Sequence, residues 1–301
     1  MVFINRGFPA PIFGLEVSRR HTLSAILVPL MIDIDELELL RQLVRRAAAD
    51  ELMSRFESVS AETKVDGSLI TEADLAVQRR LQRELGARWP QYALLGEEMP
   101  AAEQERLLGS AGAGLWCLDP LDGTSNFAAG IPFFAVSLAL ISDGAVQAGI
   151  VYDPARDECF SALRGHGAWL NGRRLVAPGL PPRLEQAMAM VDLKRLPDPL
   201  VRAVAKRSPF RSQRSFGSVA LDWCWIACGR CQVYLHGGQR LWDYAAGQLV
   251  MKESGATGGV LDDYAGDWMT QFSLAPRIAI AATHAGLLQQ WRAWIDEGLQ
   301  A

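Results

Sequence analysis

The sequence predicts an α+β half, built from a sheet and helices, followed by an α/β half. Half of the 301 residues are apolar, which is ample for a large core. The runs FFAVSLALI, AVQAGIVYD and ECFSALR are split by the turn residues SDG and DPARD, a pattern typical of an antiparallel meander. After a proline-rich break near residues 178 to 183, short apolar runs alternate with helical segments. That alternation indicates the α/β half.

The elements follow in order. Residues 35 to 57 carry apolar side chains at helical spacing, and a second helix is predicted to start near Thr71, with Asp74 completing a capping box. QYALLGEE and GLWCLDP are apolar strands that each end in acidic residues. In the second half, AMAMV and CQVYLH are predicted strands, and SVALDWCWIACG and DYAAGQLVMKES are predicted helices.

The first 34 residues are predicted to be an extension outside the core, followed by halves at 35–180 and 181–301. The apolar run from Leu23 to Ile32 is too short to span a bilayer. A signal peptide is the alternative, but no small-residue cleavage site follows this run.

Charge and cysteine content argue against a nucleic-acid-binding, disulfide-bonded or zinc-binding protein. The net charge is −4 and no basic stripe occurs, so nucleic-acid binding has no electrostatic support, and no membrane partner is expected. The five cysteines are an odd number without disulfide-like spacing, which favours a reducing cytoplasm. Cys224, Cys228 and Cys231 lack an evident fourth zinc ligand, so we interpret them as packing residues.

Carboxylates stand at the ends of several predicted elements, where a rigid scaffold presents functional groups. They are Asp74, Glu97, Asp119, Asp122 and Asp243. Acids this close together repel each other unless a cation lies between them. A single DxxD or DG in a loop is also explained as a turn or a helix cap, and this alternative stays open at this point.

The DPLDGT turn is the most constrained of these segments. Pro120 fixes one backbone angle and Gly123 relieves another, so the turn can direct Asp119, the Leu121 carbonyl and Asp122 to one point. These hard oxygen donors suit Mg²⁺. A helix is predicted to begin at Gly123, and its free N–H groups would suit an anion.

The sequence resembles the inositol monophosphatase family, within the magnesium-dependent, lithium-sensitive phosphatases. The resemblance covers roughly residues 35 to 300. It is carried by GEE (96–98), DPLDGTSNF (119–127), WDYAAG (242–247) and, less specifically, K-x-DGSLITEAD (64–74) and GAWLNGRRL (167–175). It implies a five-layered αβαβα sandwich of the inositol monophosphatase and fructose bisphosphatase type, and commonly a homodimer.

The resemblance also implies residue roles. The magnesium ligands would be Glu97, Asp119, the Leu121 carbonyl, Asp122 and Asp243. Asp74 and Thr124 would hold and activate the attacking water, with Glu97 helping through its metal. Gly123 and Thr124 would offer N–H groups to the phosphate, and Asp122 and Asp243 would also lie near the substrate hydroxyls.

The implied reaction is hydrolysis of a small phosphate monoester, with inositol monophosphate as the first expectation. The NF ending of DGTSNF and the GAWLNGRRL segment resemble the inositol monophosphatase branch. The alternatives are a 3′(2′),5′-bisphosphate nucleotidase and another sugar or histidinol phosphate phosphatase. A catalytically silent binding or regulatory protein on this fold is a further alternative.

Three residues bear on the substrate. The inositol branch usually has an acid where this chain has His236, so His236 is either a surface side chain or, with the nearby Arg240, a contact for a second anionic group. Ser218 lies in a segment that resembles the family's pocket lining, and a helix cap is the alternative.

Overall fold

Two large β-sheets organise the computed structural model, which describes residues 32–56, 61–63, 69–110, 114–180 and 183–300. A third, two-stranded antiparallel sheet is formed by residues 61–63 and 69–71. The predicted N-terminal extension lies, up to residue 31, outside the described residues. Ile32–Ala301 form one compact unit that contains both large sheets. In the part of the chain that the structure describes, no helix combines the length and the apolar character that crossing a membrane requires.

The elements have the following bounds. The strands are β1 (Ala61–Thr63), β2 (Leu69–Thr71), β3 (Ala93–Gly96), β4 (Leu115–Asp122), β5 (Ala135–Ser142), β6 (Ala145–Asp153), β7 (Glu158–Leu163), β8 (Gly167–Leu170), β9 (Arg173–Leu175), β10 (Met188–Val191), β11 (Ser212–Arg214), β12 (Val233–Gln239), β13 (Thr257–Leu261) and β14 (Arg277–Ala282). The helices are α1 (Ile34–Ala48), α2 (Glu72–Arg88), α3 (Ala101–Gly109), α4 (Thr124–Ala128), α5 (Asp198–Arg207), α6 (Val219–Ala227), α7 (Leu241–Glu253) and α8 (Ala285–Leu299).

The larger sheet has seven strands in the order β3-β4-β5-β6-β7-β8-β9. Only β3 and β4 pair in parallel; every later neighbour is antiparallel, so the predicted meander is confirmed. The GAWLNGRRL segment adds β8 and β9, which we had not predicted as strands.

The smaller sheet has five strands in the order β11-β10-β12-β14-β13. β10 runs parallel to β11 and β12, whereas β14 runs antiparallel to β12 and β13. The predicted alternation of strands and helices in this half is therefore confirmed, and the sheet is mixed.

The helices complete a five-layered αβαβα sandwich, as expected. α1 and α2 cover one face of the larger sheet, α6 and α7 fill the space between the sheets, and α5 and α8 cover the outer face of the smaller sheet. Separate apolar cores hold these layers together. Cys224 and Cys231 are buried in the core that surrounds α6 and α7, which fits their interpretation as packing residues.

The first two helices begin where the capping signals lie. Asp33 caps α1 by accepting a hydrogen bond from the Glu36 N–H at 2.8 Å. The predicted capping box of α2 is confirmed, because the Thr71 hydroxyl accepts from the Ala73 N–H and Asp74 accepts from the Thr71 N–H.

Candidate active site

The ends of β3 and β4 bring Glu97 and Asp119 to the same edge of the larger sheet. The two strands are parallel, so their carboxyl ends coincide, and the Glu97 N–H donates to the Leu118 carbonyl at 3.0 Å. The β4–β5 register shifts between Asp119 and Asp122, which makes the DPLDGT turn a bulge at this edge. The turn then enters α4 through Gly123, whose φ of 94° is left-handed.

Asp74 and Thr124 are brought together from segments 50 residues apart. The Thr124 hydroxyl lies 3.3 Å from Asp74 Oδ1 and 2.9 Å from the Leu121 carbonyl oxygen. The other oxygen of Asp74 accepts from the hydroxyl of Thr71 at 2.6 Å. Since a hydroxyl carries one proton, Thr124 donates to either acceptor and keeps lone pairs to accept from a third group.

Asp122 is held from across the molecule by the first turn of α6. Its Oδ2 accepts from the Ser218 hydroxyl at 2.6 Å and from the Ala220 N–H at 2.7 Å. Ser218 occupies the N-cap position of α6, but its side chain is 0% exposed and makes no capping hydrogen bond, so the alternative of a side-chain cap is wrong. The side chain of Ser218 acts on Asp122 instead.

Asp243 stands in the first turn of α7, where its Oδ2 accepts from the Arg240 N–H at 2.7 Å. The start of this helix is tied to the larger sheet, because the buried Ser137 hydroxyl donates to the Trp242 carbonyl at 3.0 Å. Asp243 therefore reaches the site from the middle helical layer, while Asp119 and Asp122 reach it from a strand.

Burial and mutual repulsion raise the pKa of these carboxyl groups. Burial raises the pKa of Asp119 well above its usual range, and the charges of Glu97, Asp122 and Asp243 raise it further. Burial also raises the pKa of Asp243 well above its usual range, and the charges of Asp122 and Glu97 raise it further. For Asp122, burial raises the pKa more than its hydrogen bonds lower it, and the resulting pKa is about 6. Burial likewise raises the pKa of Asp74 to about 6.

These acids form a site that suits a hard cation. Among the described residues, Asp119, Asp122 and Asp243 make no ion pair with a basic side chain, although Asp119 and Asp122 are 2% and 8% exposed. Buried carboxylates without a positive partner are costly, and oxygen ligands are those that Mg²⁺ prefers. The residues present therefore fit magnesium.

In this structure, the carboxylate side chains of the site accept hydrogen bonds from neighbouring protein groups. In the described part of the chain, no three His, Cys, Asp or Glu side chains converge closely enough to hold one ion together. Asp119 accepts from the Leu121 N–H at 3.0 Å, and Asp122 and Asp243 accept the bonds described above. Coordination of a common ion thus requires these side chains to rotate away from their local donors.

His236 and Arg240 differ in their surroundings. His236 is 5% exposed on β12, so it is not the surface side chain that we had considered. Its Nε2 lies 3.3 Å from Asp192 Oδ2. Arg240 is exposed, donates to the Leu274 carbonyl at 2.8 Å, and lines a 640 Å³ cleft together with Glu97 and Trp242.

Sequence reasoning missed Asn126 and Asp222. The Asn126 amide donates to the Phe133 and Phe216 carbonyls, both at 2.7 Å, and so ties the DPLDGT turn to the segment before α6. Asp222 is buried on α6, with no hydrogen-bond partner for its Oδ1 among the described residues. An acid within the apolar stretch VALDWCWIA was the available signal.

Comparison with known sequences places these motifs in one family. The Inositol monophosphatase family model matches residues 33–295. The "Nus factor SuhB" of Xylella fastidiosa is 32% identical, over 73% of this chain and 79% of that protein. "Inositol monophosphatase 1" of Solanum lycopersicum is 34% identical, again over 73% and 79% of the two chains.

Solved structures agree with this placement. The Thermotoga maritima IMPase is 27% identical, with a TM-score of 0.74 over 89% of this chain and 99% of that one. The Bartonella henselae SuhB protein is 29% identical, with a TM-score of 0.72 over 87% and 97%. An IMPase/NADP phosphatase complexed with Mg²⁺ and phosphate shares the fold at a TM-score of 0.73, with 24% identity and coverage of 87% and 95%. The chain belongs to the inositol monophosphatase family, a family of magnesium-dependent phosphomonoesterases.

Proposed function

We propose that this protein uses magnesium to hydrolyse a small phosphate monoester, and that inositol monophosphate is its preferred substrate. The observation that carries the proposal is the buried pair Asp119 and Asp122, which make no ion pair with a basic side chain among the described residues, beside the Asp74–Thr124 pair. Such a site repels a phosphate until cations neutralise it, so substrate and metal bind together.

The magnesium ligands are those that the family resemblance implies. Glu97, Asp119, Asp122, Asp243 and the Leu121 carbonyl would hold the metal. Magnesium held by these residues would supply Lewis-acid activation of water and neutralisation of negative charge on the phosphate ester.

Asp74 and Thr124 prepare the attacking water. Thr124 donates its proton to Asp74 Oδ1 and accepts a hydrogen bond from the water, which orients one water lone pair toward phosphorus. Asp74 then accepts the proton that the water loses. Its pKa of about 6 suits this task, since the group is ionised at neutral pH but still basic.

The remaining groups bind substrate. The Gly123 and Thr124 N–H groups donate to phosphate oxygens, and Asp122 and Asp243 accept from hydroxyls of the alcohol part. Because α4 has only five residues, these N–H groups act locally rather than through a long helix dipole. Ser218 contributes by holding Asp122, and its direct contact with substrate stays a prediction.

The test is phosphate release with Mg²⁺ and with a chelator, over a panel of esters. The panel contains inositol 1-phosphate, glycerol 2-phosphate, fructose 1,6-bisphosphate, histidinol phosphate and adenosine 3′,5′-bisphosphate. We expect magnesium-dependent turnover that is fastest with the inositol ester. Preference for adenosine 3′,5′-bisphosphate would favour the nucleotidase alternative.

No turnover of any ester, with magnesium bound, would instead favour the binding or regulatory alternative, for which the name "Nus factor SuhB" of several relatives provides a precedent. The acidic net charge of −4 does not favour direct nucleic-acid binding in such a role. Lithium inhibition and a homodimer, both implied by the family, belong to the proposal. They are checked by the same assay with lithium and by the mass in solution.

A further inference from the structure

The turn that follows β3 carries Glu97 and is bonded by two glutamine side chains. The Met99 N–H donates to the Gly96 carbonyl at 3.3 Å, so residues 96–99 form a tight turn. One glutamine comes from α2 and the other from α3, and both are buried. Buried amide side chains are costly unless they are hydrogen-bonded, so the groups to which these two bond show what they do.

Gln104 holds the turn from α3. It is 6% exposed, and its side-chain amide donates to the Gly96 carbonyl at 2.9 Å and to the Glu97 carbonyl at 3.0 Å. The helix begins at Ala101, so Gln104 lies close to its N-terminus. Helical side chains tilt toward that end, which directs the amide onto the turn that precedes the helix.

Gln78 holds the same turn from α2. Its Oε1 accepts from the Glu98 N–H at 3.3 Å, and its side chain packs directly over Gly96, where a Cβ would collide with Oε1. Gln78 lies four positions after Asp74 in this helix, so the two buried side chains share one helix face. The main chain beside Glu97 is thereby tied to the helix that carries Asp74.

These bonds hold Glu97 beside acids that repel it. Burial raises the pKa of Asp74 and of Asp119, and the charge of Glu97 raises both further, so the three carboxylates are within electrostatic range. Repulsion of this kind pushes a loosely held turn away from the site. A turn bonded to β4, to Gln78 and to Gln104 resists that displacement, and less freedom is lost when an ion binds.

We propose that Gln78 and Gln104 are positioning residues that hold the turn of Glu97 in place for magnesium. The inference rests on the proposed function, in which Glu97 is a metal ligand. Both glutamines lie outside the motifs that carry the family resemblance. They act through the main chain of residues 96–98, and a purely structural role would instead lower stability without changing the affinity for Mg²⁺.

The experiment measures Mg²⁺ affinity by calorimetry and the free energy of unfolding of the metal-free protein in urea. Gln104→Met and Gln78→Met keep an unbranched side chain and remove its hydrogen-bonding amide. Each should weaken Mg²⁺ binding about five- to tenfold, as expected for the loss of one or two hydrogen bonds. Gln78→Glu keeps an oxygen that accepts from the Glu98 N–H, so it should bind Mg²⁺ at least as tightly as the wild type.

Gln147→Met is the matched control. The Gln147 amide donates to the Ser142 carbonyl at 2.9 Å, at the end of β5 opposite to Ala135, which pairs with Asp122. This variant should lose a similar amount of stability and keep the Mg²⁺ affinity of the wild type.

Unchanged Mg²⁺ affinity in either glutamine-to-methionine variant of the proposed pair would overturn the inference, and so would an equal loss in Gln147→Met. If Gln104→Met does not fold, the Gln78 variants decide the matter, because equal weakening by Gln78→Met and Gln78→Glu would contradict a role of this hydrogen bond. A wild type that binds no Mg²⁺ would overturn the proposed function and this inference with it. A wild type that binds Mg²⁺, with variants that bind it equally well, would overturn this inference alone.

Discussion

Asp122 is a single carboxylate whose two oxygens have different surroundings. One oxygen accepts from the Ser218 hydroxyl and the Ala220 N–H, which leaves the other directed elsewhere. The DPLDGT turn suited Asp122 to a metal site, and the family resemblance implied it as a ligand. The role of Ser218 was not predictable, because the two residues are 96 positions apart and no local pattern connects them.

The Ser218→Ala substitution tests this arrangement. It removes a buried hydrogen bond to a charged acceptor, so Mg²⁺ affinity measured by calorimetry should fall about ten- to hundredfold. Ser218→Thr retains the hydroxyl and should restore affinity. Ser254→Ala removes another buried hydroxyl, which donates to the Met251 carbonyl, and should leave Mg²⁺ affinity unchanged. Equal affinity in Ser218→Ala and wild type would refute the positioning role.

At the level of elements, capping and apolar periodicity predicted most of the structure. The Thr71–Asp74 box, the strands that end in acids and the meander are all present, because each depends on local patterns. β8 and β9 were missed because they are short and partly exposed. The Asp192–His236 contact was missed because it depends on which strands become neighbours, and that is decided by the whole sheet.

The turn at Gly123 provides the element-level prediction. Gly123→Ala forces a Cβ into left-handed backbone, 3.0 Å from the Phe133 carbonyl and 3.2 Å from the Gly217 carbonyl. It should lower the free energy of unfolding by about 3 kcal/mol and displace the turn, so phosphatase activity should fall as well.

Gly144→Ala is the control, since its φ is 69° but open space surrounds the new Cβ. It should cost about 1–2 kcal/mol of stability from backbone strain alone, with activity unchanged. Urea unfolding of the two variants measures the difference. Equal costs would mean that the close approach at Gly123 has no energetic consequence.

When no metal is bound, the buried acids of the site lower the free energy of unfolding of the whole protein. Asp74 and Asp122 each have a pKa of about 6 in the folded protein, against a usual value of 3.8. Between these values the folded state binds more protons than the unfolded state, so stability falls as pH rises. We expect magnesium to reverse this effect, because it would replace the protons as the positive partner.

The metal-free protein should therefore lose stability between about pH 4 and pH 7 through these groups, on the order of 1–3 kcal/mol for each. Unfolding in the presence of a chelator, followed across this pH range, measures the loss. Asp122→Asn removes one titrating group and should flatten the dependence. If the free energy of unfolding instead rose with pH through this range, the raised pKa values of Asp74 and Asp122 would be contradicted.

The account rests on metal-dependent catalysis at the clustered acids. The direct measurement is the rate of phosphate release from inositol 1-phosphate as a function of Mg²⁺ concentration, for wild type and Asp122→Asn side by side. We predict a rate that saturates with Mg²⁺ in the wild type and is nearly abolished in a variant that remains folded. Wild-type turnover by Asp122→Asn, or turnover that continues unchanged in a chelator, would contradict the account.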